Sequence, residues 1–143
     1  MTCGELMTPS PTCCQPQHTI NEVAEIMKRE DVGLVPIVEE STNKLIGVLT
    51  DRDIVMKVVA DDRDPRGTAV SEVMTNDPCA CQEQDSIETV MQQMAAHQVR
   101  RIPIVDRDGS IVGIVSQADI ATRLSNARET GEVVQAISEP ATT

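Results

Sequence analysis

Two short stretches of this chain combine residue types that can hold a sugar-phosphate. They are Gly47-Val48-Leu49-Thr50-Asp51-Arg52-Asp53-Ile54 and Gly113-Ile114-Val115-Ser116-Gln117-Ala118-Asp119-Ile120. In each, an apolar run ends in a hydroxyl residue and an aspartate follows three positions later. That pattern reads as the end of a strand, an N-cap and the first turn of a helix. Such a corner aims free backbone N–H groups and the positive end of the helix dipole at one point, where an anion is stabilised. Thr50 and Ser116 can bond a phosphate oxygen, and Asp53 and Asp119 can accept hydrogen bonds from ribose hydroxyls. The same residues have a plainer use, because a hydroxyl and a carboxylate three apart also make a capping box. A single occurrence is adequately explained as a cap. What favours a ligand is the recurrence of the pattern in matching context.

The match extends far beyond the two corners. Glu5-Leu6-Met7-Thr8 aligns with Glu72-Val73-Met74-Thr75, Pro11 with Pro78, Cys14-Gln15 with Cys81-Gln82, and Met27 with Met94. Pro36-Ile37-Val38 aligns with Pro103-Ile104-Val105 and, after a one-residue deletion in the next turn, Gly47 with Gly113. The chain is therefore an internal duplication of units of about 60 residues, each too small to be very stable alone. The expected boundaries are 1–66 for the first repeat with its linker, 67–126 for the second, and 127–143 for a tail.

The elements that position the corners follow from periodicity. Thr19 caps a helix with Glu22 completing a capping box, and Ile20, Val23, Ala24 and Met27 form one apolar stripe. Ser86 caps the equivalent helix, with Ile87, Val90, Met91 and Met94 inward. Residues 34–38 and 45–49 read as strands, the proline pointing to an edge, and 102–105 and 111–115 as their counterparts, joined by a tight turn at Asp106-Arg107-Asp108-Gly109. Thr50 begins a second helix that turns Ile54, Val55 and Val58 inward. Asp61 to Gly67 reads as an exposed linker, Ala69 to Met74 as the lead into the second repeat, and 128–137 as a short terminal helix.

Composition limits the functions available. The 143-residue chain carries a formal charge of -11, so most of its surface repels nucleic-acid phosphates. No apolar run reaches membrane-spanning length, and the start, Met1-Thr2-Cys3-Gly4-Glu5, lacks the features of a secretion signal. A cytoplasmic protein is expected. With no Phe, Tyr or Trp, a bound base must lie between aliphatic walls. The five cysteines, Cys3, Cys13, Cys14, Cys79 and Cys81, fit neither a disulfide framework nor the usual zinc spacing. No nucleophile stands with an adjacent base, and no phosphate-binding glycine loop or metal constellation is legible, so an enzyme is not expected.

The doubled β-α-β-β-α unit resembles a tandem pair of cystathionine-β-synthase (CBS) domains, a Bateman module. The residues that carry the resemblance are Val35-Pro36-Ile37-Val38 with Gly47 to Asp53, and Ile102-Pro103-Ile104-Val105 with Gly113 to Asp119. Leu49 to Ile54 and His97 to Arg101 are most similar to a group of small stand-alone bacterial pairs, that of mycobacterial hypoxic response protein 1. The resemblance implies an α+β fold of two repeats related by a pseudo-twofold axis and packed through their sheets. It also implies a regulatory module that binds AMP, ADP, ATP or S-adenosylmethionine between the repeats, and a homodimer that signals to a partner protein.

By that resemblance Asp53 and Asp119 hold ribose, Thr50 and Ser116 hold phosphate, and Val35, Ile102 and the segments at Thr12 and Cys79 line the adenine. Arg100 and Arg101 stand where family members often carry a phosphate-binding side chain, whereas the first repeat has Gly33 and Leu34. The second-repeat corner is therefore expected to bind better. Two other readings remain open: a ligand-free scaffold for protein interaction, and a redox or metal sensor built on the cysteines.

Overall fold

The computed structural model describes residues 1–123; the tail at 127–143, with the helix expected at 128–137, lies outside them. The described elements are α1 (Cys3–Leu6), β1 (Thr8–Pro9), α2 (Ile20–Glu30), β2 (Leu34–Val38), β3 (Leu45–Thr50) and α3 (Asp51–Ile54). After these come β4 (Thr75–Asn76), β5 (Cys81–Gln82), α4 (Ile87–His97), β6 (Arg101–Val105), β7 (Ile111–Ser116) and α5 (Gln117–Arg123). A wide π-turn, Val55–Val59, continues α3, and a single 3-10 turn spans Val70–Glu72.

The chain forms two compact units, and they do not follow the repeat boundary expected at 66/67. One holds Pro11–Pro78 with Asp108–Ile111; the other holds Met1–Ser10, Cys79–Arg107 and, among the described residues, Val112 to Arg123. The repeats exchange their leading segments. Met1–Ser10 opens the first repeat in sequence but folds with the second, where β1 pairs antiparallel with β7, Thr8 opposite Ile114. Residues 67–78 open the second repeat but fold with the first, where β4 pairs with β3, Val48 opposite Thr75. The stretch Ala69 to Met74 is thus part of the first unit rather than a lead into the second.

In the first unit the sheet runs β2-β3-β4, with Cys14 bridged in parallel to Ile37 beyond β2. Pro36 sits in β2 where the side away from β3 uses its carbonyl and not an N–H, the Cys14 N–H donating to the Pro36 carbonyl at 3.0 Å. In the second unit the order is β1-β7-β6-β5. Here Pro103 lies in an interior strand, tolerated because β5 pairs only from Ile104 onward, Cys81 opposite Ile104 and Gln82 opposite Val105. The close approach of the exchanged segments explains both corner glycines. A Cβ on Gly47 would stand 2.8 Å from the Thr75 carbonyl oxygen and 2.9 Å from Met74 Sδ, and one on Gly113 would collide with Met7 Sδ.

Each unit has its own aliphatic core. Cys14, Ile20, Val23, Val35, Ile37, Leu49 and Val58 pack together in one, and Leu6, Cys81, Val90, Met94, Ile102, Ile104 and Ile120 in the other. The two long helices carry the expected caps. Thr19 Oγ1 accepts from the Glu22 N–H at 3.3 Å while Glu22 Oε2 accepts from the Thr19 N–H at 3.1 Å. Ser86 Oγ accepts from the Thr89 N–H at 3.2 Å. Both helices end without glycine, on left-handed Asp31 (φ 54°) and Gln98 (φ 57°). These are polar residues that adopt the conformation at modest cost.

One inward face is misread by periodicity. Val58 is buried, but Val55 is 54% exposed, with Met56 and Val59 exposed beside it. The π-turn widens the helix and shifts its phase, so an apolar residue placed inward by the α-helical repeat turns outward.

Candidate functional site

Thr50 ends β3 in an extended conformation (φ -109°, ψ 161°) and caps α3. Its Oγ1 accepts from the Asp53 N–H at 3.0 Å, and Asp53 Oδ2 accepts from the Thr50 N–H at 3.0 Å. The second corner repeats this geometry. Ser116 Oγ accepts from the Asp119 N–H at 3.0 Å, and Asp119 Oδ2 accepts from the Ser116 N–H at 2.9 Å. The capping use of these four residues is therefore real. It does not exhaust them, because each carboxylate has a second oxygen and each hydroxyl a proton and a further lone pair. All four residues are only part-buried, so a ligand can reach them.

The loop that follows each long helix docks onto the corner of its own unit. The Asp51 N–H, the first of α3, donates to the Gly33 carbonyl at 2.9 Å; the Gln117 N–H, the first of α5, donates to the Arg100 carbonyl at 2.8 Å. This places Arg100 and Arg101 next to Ser116, and Gly33 and Leu34 next to Thr50. Arg100 is exposed and Arg101 half-buried. Among the described residues no carboxylate forms a salt bridge with either arginine. Gln117 Oε1, in the first turn of α5, is buried with no hydrogen-bond partner among the described residues.

The expected base-lining residues divide. Val35 and Ile102 are fully buried within the cores of their own units, so in this conformation neither presents surface to a base. They alternate with Pro36 and Pro103 along the strand, and it is the core-facing set to which they belong. Thr12 is exposed, and its hydroxyl donates to Glu30 Oε1 at 2.7 Å. That bond, ahead of the neighbouring Arg29, holds the Glu30 carboxyl below its usual range. Cys79 is half-buried, its thiol donating to Gln93 Oε1 at 3.6 Å. Thr12 and Cys79 thus remain within reach of a ligand, each already engaged with a side chain of its own unit.

Sequence reasoning overlooked two residues at the first corner. Lys57 Nζ lies 3.3 Å from Asp53 Oδ1 and donates to the Val73 carbonyl at 3.1 Å. The Thr75 hydroxyl approaches Asp53 Oδ2 at 3.5 Å. The spacing of Asp53 and Lys57, one helical turn apart, is a legible signal. Thr75 has none, because it arrives on the exchanged strand.

The cysteines are free thiols held neutral. Burial raises Cys3 to about 11, aided by Asp85. Burial likewise raises Cys13 and Cys14 to about 11, aided by Cys14 and Glu22 respectively. Cys81 is pushed up to about 12 by burial and then by Cys3, Asp85 and Cys79; burial also raises Cys79. Cys14 belongs to the core of one unit and Cys81 to the core of the other. Among the described residues no three His, Cys, Asp or Glu side chains converge as a metal site, and no helix is long and apolar enough to cross a membrane.

Comparison with known proteins agrees with this architecture. The CBS-domain family matches at residues 3–60 and again at 70–126. A CBS domain-containing protein of Bacillus subtilis, YhcV, is 40% identical over 134 residues, covering 94% of this chain and 93% of that protein. Hypoxic response protein 1 of Mycobacterium tuberculosis is 35% identical over 86% of this chain and 85% of its own length. A crystal structure of Hypoxic Response Protein I with two coordinated zinc ions superposes with a TM-score of 0.79 at 35% identity, over 87% of this chain and 99% of that one. The CBS pair of MJ0100, solved with 5′-methylthioadenosine and S-adenosyl-L-methionine, has a TM-score of 0.77 at 26% identity, covering 85% of this chain and 94% of that one. With both corners built alike and both repeats matched, the chain belongs to the CBS-domain family, as a tandem pair.

Proposed function

We propose that this protein is a non-catalytic regulatory module that binds an adenosyl ligand, an adenine nucleotide such as AMP, ADP or ATP or a relative such as S-adenosylmethionine, at its strand-to-helix corners. The observation that carries this reading is the pairing of a part-buried hydroxyl and carboxylate at both corners, each carboxylate with one oxygen that the cap does not use. Ser116 and Thr50 take a phosphate or other polar substituent; Asp119 and Asp53 take ribose hydroxyls, charge-assisted bonds that discriminate a nucleoside from a free phosphate. Thr12 and Cys79 flank the base. The MJ0100 pair, solved with two adenosyl ligands, supports this ligand class.

The second-repeat corner is the stronger site, because Arg100 and Arg101 add positive charge beside Ser116 where the first repeat has Gly33 and Leu34. The exposed Val55, Met56 and Val59 favour a homodimer that buries them, and the binding signal passes to a partner protein. A thermal-unfolding series with AMP, ATP and S-adenosylmethionine tests the reading. A true ligand at a hundred times its dissociation constant adds about 2.7 kcal/mol of stability. No stabilisation by any of the three leaves only a protein-interaction scaffold.

The zinc in the structure of hypoxic response protein 1 keeps a metal-sensing reading in view. Against it stand the raised thiols of this chain, Cys3, Cys14 and Cys81 buried and Cys13 and Cys79 half-buried, which must lose protons to bind a metal.

A further inference from the structure

We propose that Lys57 is a built-in competitor at the first corner, its ammonium standing where a ribose hydroxyl would bond Asp53. The inference rests on the adenosyl reading of the corners and adds to it a residue that sets how tightly the first corner binds. The Asp53 side chain is only 14% exposed, and both of its oxygens are engaged. Oδ2 accepts from the Thr50 N–H at 3.0 Å and is approached by the Thr75 hydroxyl at 3.5 Å. Oδ1, the oxygen left over by the cap, faces Lys57 Nζ at 3.3 Å.

Lys57 is not held by Asp53 alone. It also donates to the Val73 carbonyl at 3.1 Å, on the segment that leads into β4. The ammonium therefore has a fixed seat between the helix and the exchanged strand, and need not wait in solvent for its carboxylate. A ribose diol that reaches Asp53 has to exchange its hydroxyl for this charged donor. The lysine side chain is 44% exposed, so the exchange is feasible rather than forbidden. A partly exposed ion pair of this kind is worth up to about 1 kcal/mol, which corresponds to a penalty of up to about fivefold on affinity at this corner.

Calorimetric titration of AMP into four full-length proteins tests this: wild type, Asp119→Ala, Asp119→Ala with Lys57→Met, and Asp119→Ala with Lys57→Arg. Asp119→Ala removes the ribose contact of the second corner, so the first dominates the titration. Methionine keeps the aliphatic stem and removes the donor; arginine keeps a charged donor and serves as the folded control. Lys57→Met is expected to tighten the remaining site by up to about fivefold relative to Asp119→Ala, or to reveal binding where Asp119→Ala shows none, while Lys57→Arg stays near Asp119→Ala. Equal or weaker binding by Lys57→Met, with wild type binding AMP, overturns the competitor role and leaves the adenosyl reading standing. Absence of binding in all four overturns the nucleotide reading at this corner and the competitor role with it.

Discussion

Removing both corner hydroxyls separates capping from ligand binding, because the two uses draw on different readouts. In the double variant Thr50→Ala/Ser116→Ala each helix loses the hydroxyl that accepts from the N–H three residues on, at 3.0 Å in both corners. The reciprocal bonds, from the Thr50 and Ser116 N–H groups to Asp53 and Asp119, use no hydroxyl and survive. Each substitution therefore costs about 1 kcal/mol, in the middle of the range for a lost cap. The corners share no partner, so the costs add to about 2 kcal/mol, a fall of about 6 °C in Tm.

That loss is common to the capping and ligand readings. The ligand increment is not. At an AMP concentration a hundred times the wild-type Kd, each occupied corner contributes about 2.7 kcal/mol. If one phosphate hydrogen bond worth about 1.4 kcal/mol is lost, affinity falls tenfold and the increment at the same concentration drops to about 1.4 kcal/mol. Urea unfolding with and without AMP measures both quantities on the same samples. The swap Thr50→Ser/Ser116→Thr keeps both hydroxyls and should keep both increments. A double variant that loses the expected apo stability but retains the full AMP increment would show the hydroxyls to be caps and nothing more.

Two further perturbations probe the fold that holds the corners. Gly47→Ala drives a Cβ against the backbone carbonyl of Thr75, whereas Gly113→Ala meets only side-chain atoms of Met7, its Sδ, Cγ and Cβ. Gly47→Ala should cost about 1–3 kcal/mol in urea unfolding, the range for overpacking, and Gly113→Ala less; the reverse order would contradict the rigid seating of β4. Raising the pH should weaken the protein. The Cys3, Cys14 and Cys81 thiols sit at about 11, 11 and 12 when folded, above an ordinary thiol. Between pH 9 and about 11 the unfolded chain has released these protons and the folded chain has not, so the unfolded state binds fewer and stability declines with pH. Urea midpoints at pH 8 and pH 10, compared with those of a Cys81→Ala variant, measure the decline; a midpoint that does not fall would show the thiols to be less well buried.

What was legible in the sequence is what two copies of a pattern can show. The caps at Thr19, Thr50, Ser86 and Ser116 are hydroxyls at fixed distance from the helix they start, and all four form their expected bonds. The aspartates of the corners follow from the same spacing. Pairing partners chosen across the repeat boundary were not legible. β1 and β4 are two residues each, too short to show alternation, and Thr8 and Thr75 are equivalent in sequence, so either could have served either sheet. The side-chain direction of Val35 and Ile102 was recoverable from strand alternation with Ile37 and Ile104, but a resemblance carries positions rather than orientations.

The exchange of leading segments bears directly on the competitor role proposed for Lys57. Thr75, which reaches Asp53, and Val73, whose carbonyl seats Lys57, belong by sequence to the second repeat but fold with the first. If an adenosyl ligand displaces Lys57 from Asp53 as proposed, it also frees one hold on the chain segment that runs on to Cys79. A ligand shifts such an arrangement only by its differential affinity for the held and released forms. At this corner the difference resides in identifiable bonds: one ion pair, one lysine-to-carbonyl bond and one long hydroxyl contact. Were the Thr75 and Asn76 amides to stay equally protected from hydrogen exchange after AMP has bound, the segment would not have been released and could not be the carrier of the signal.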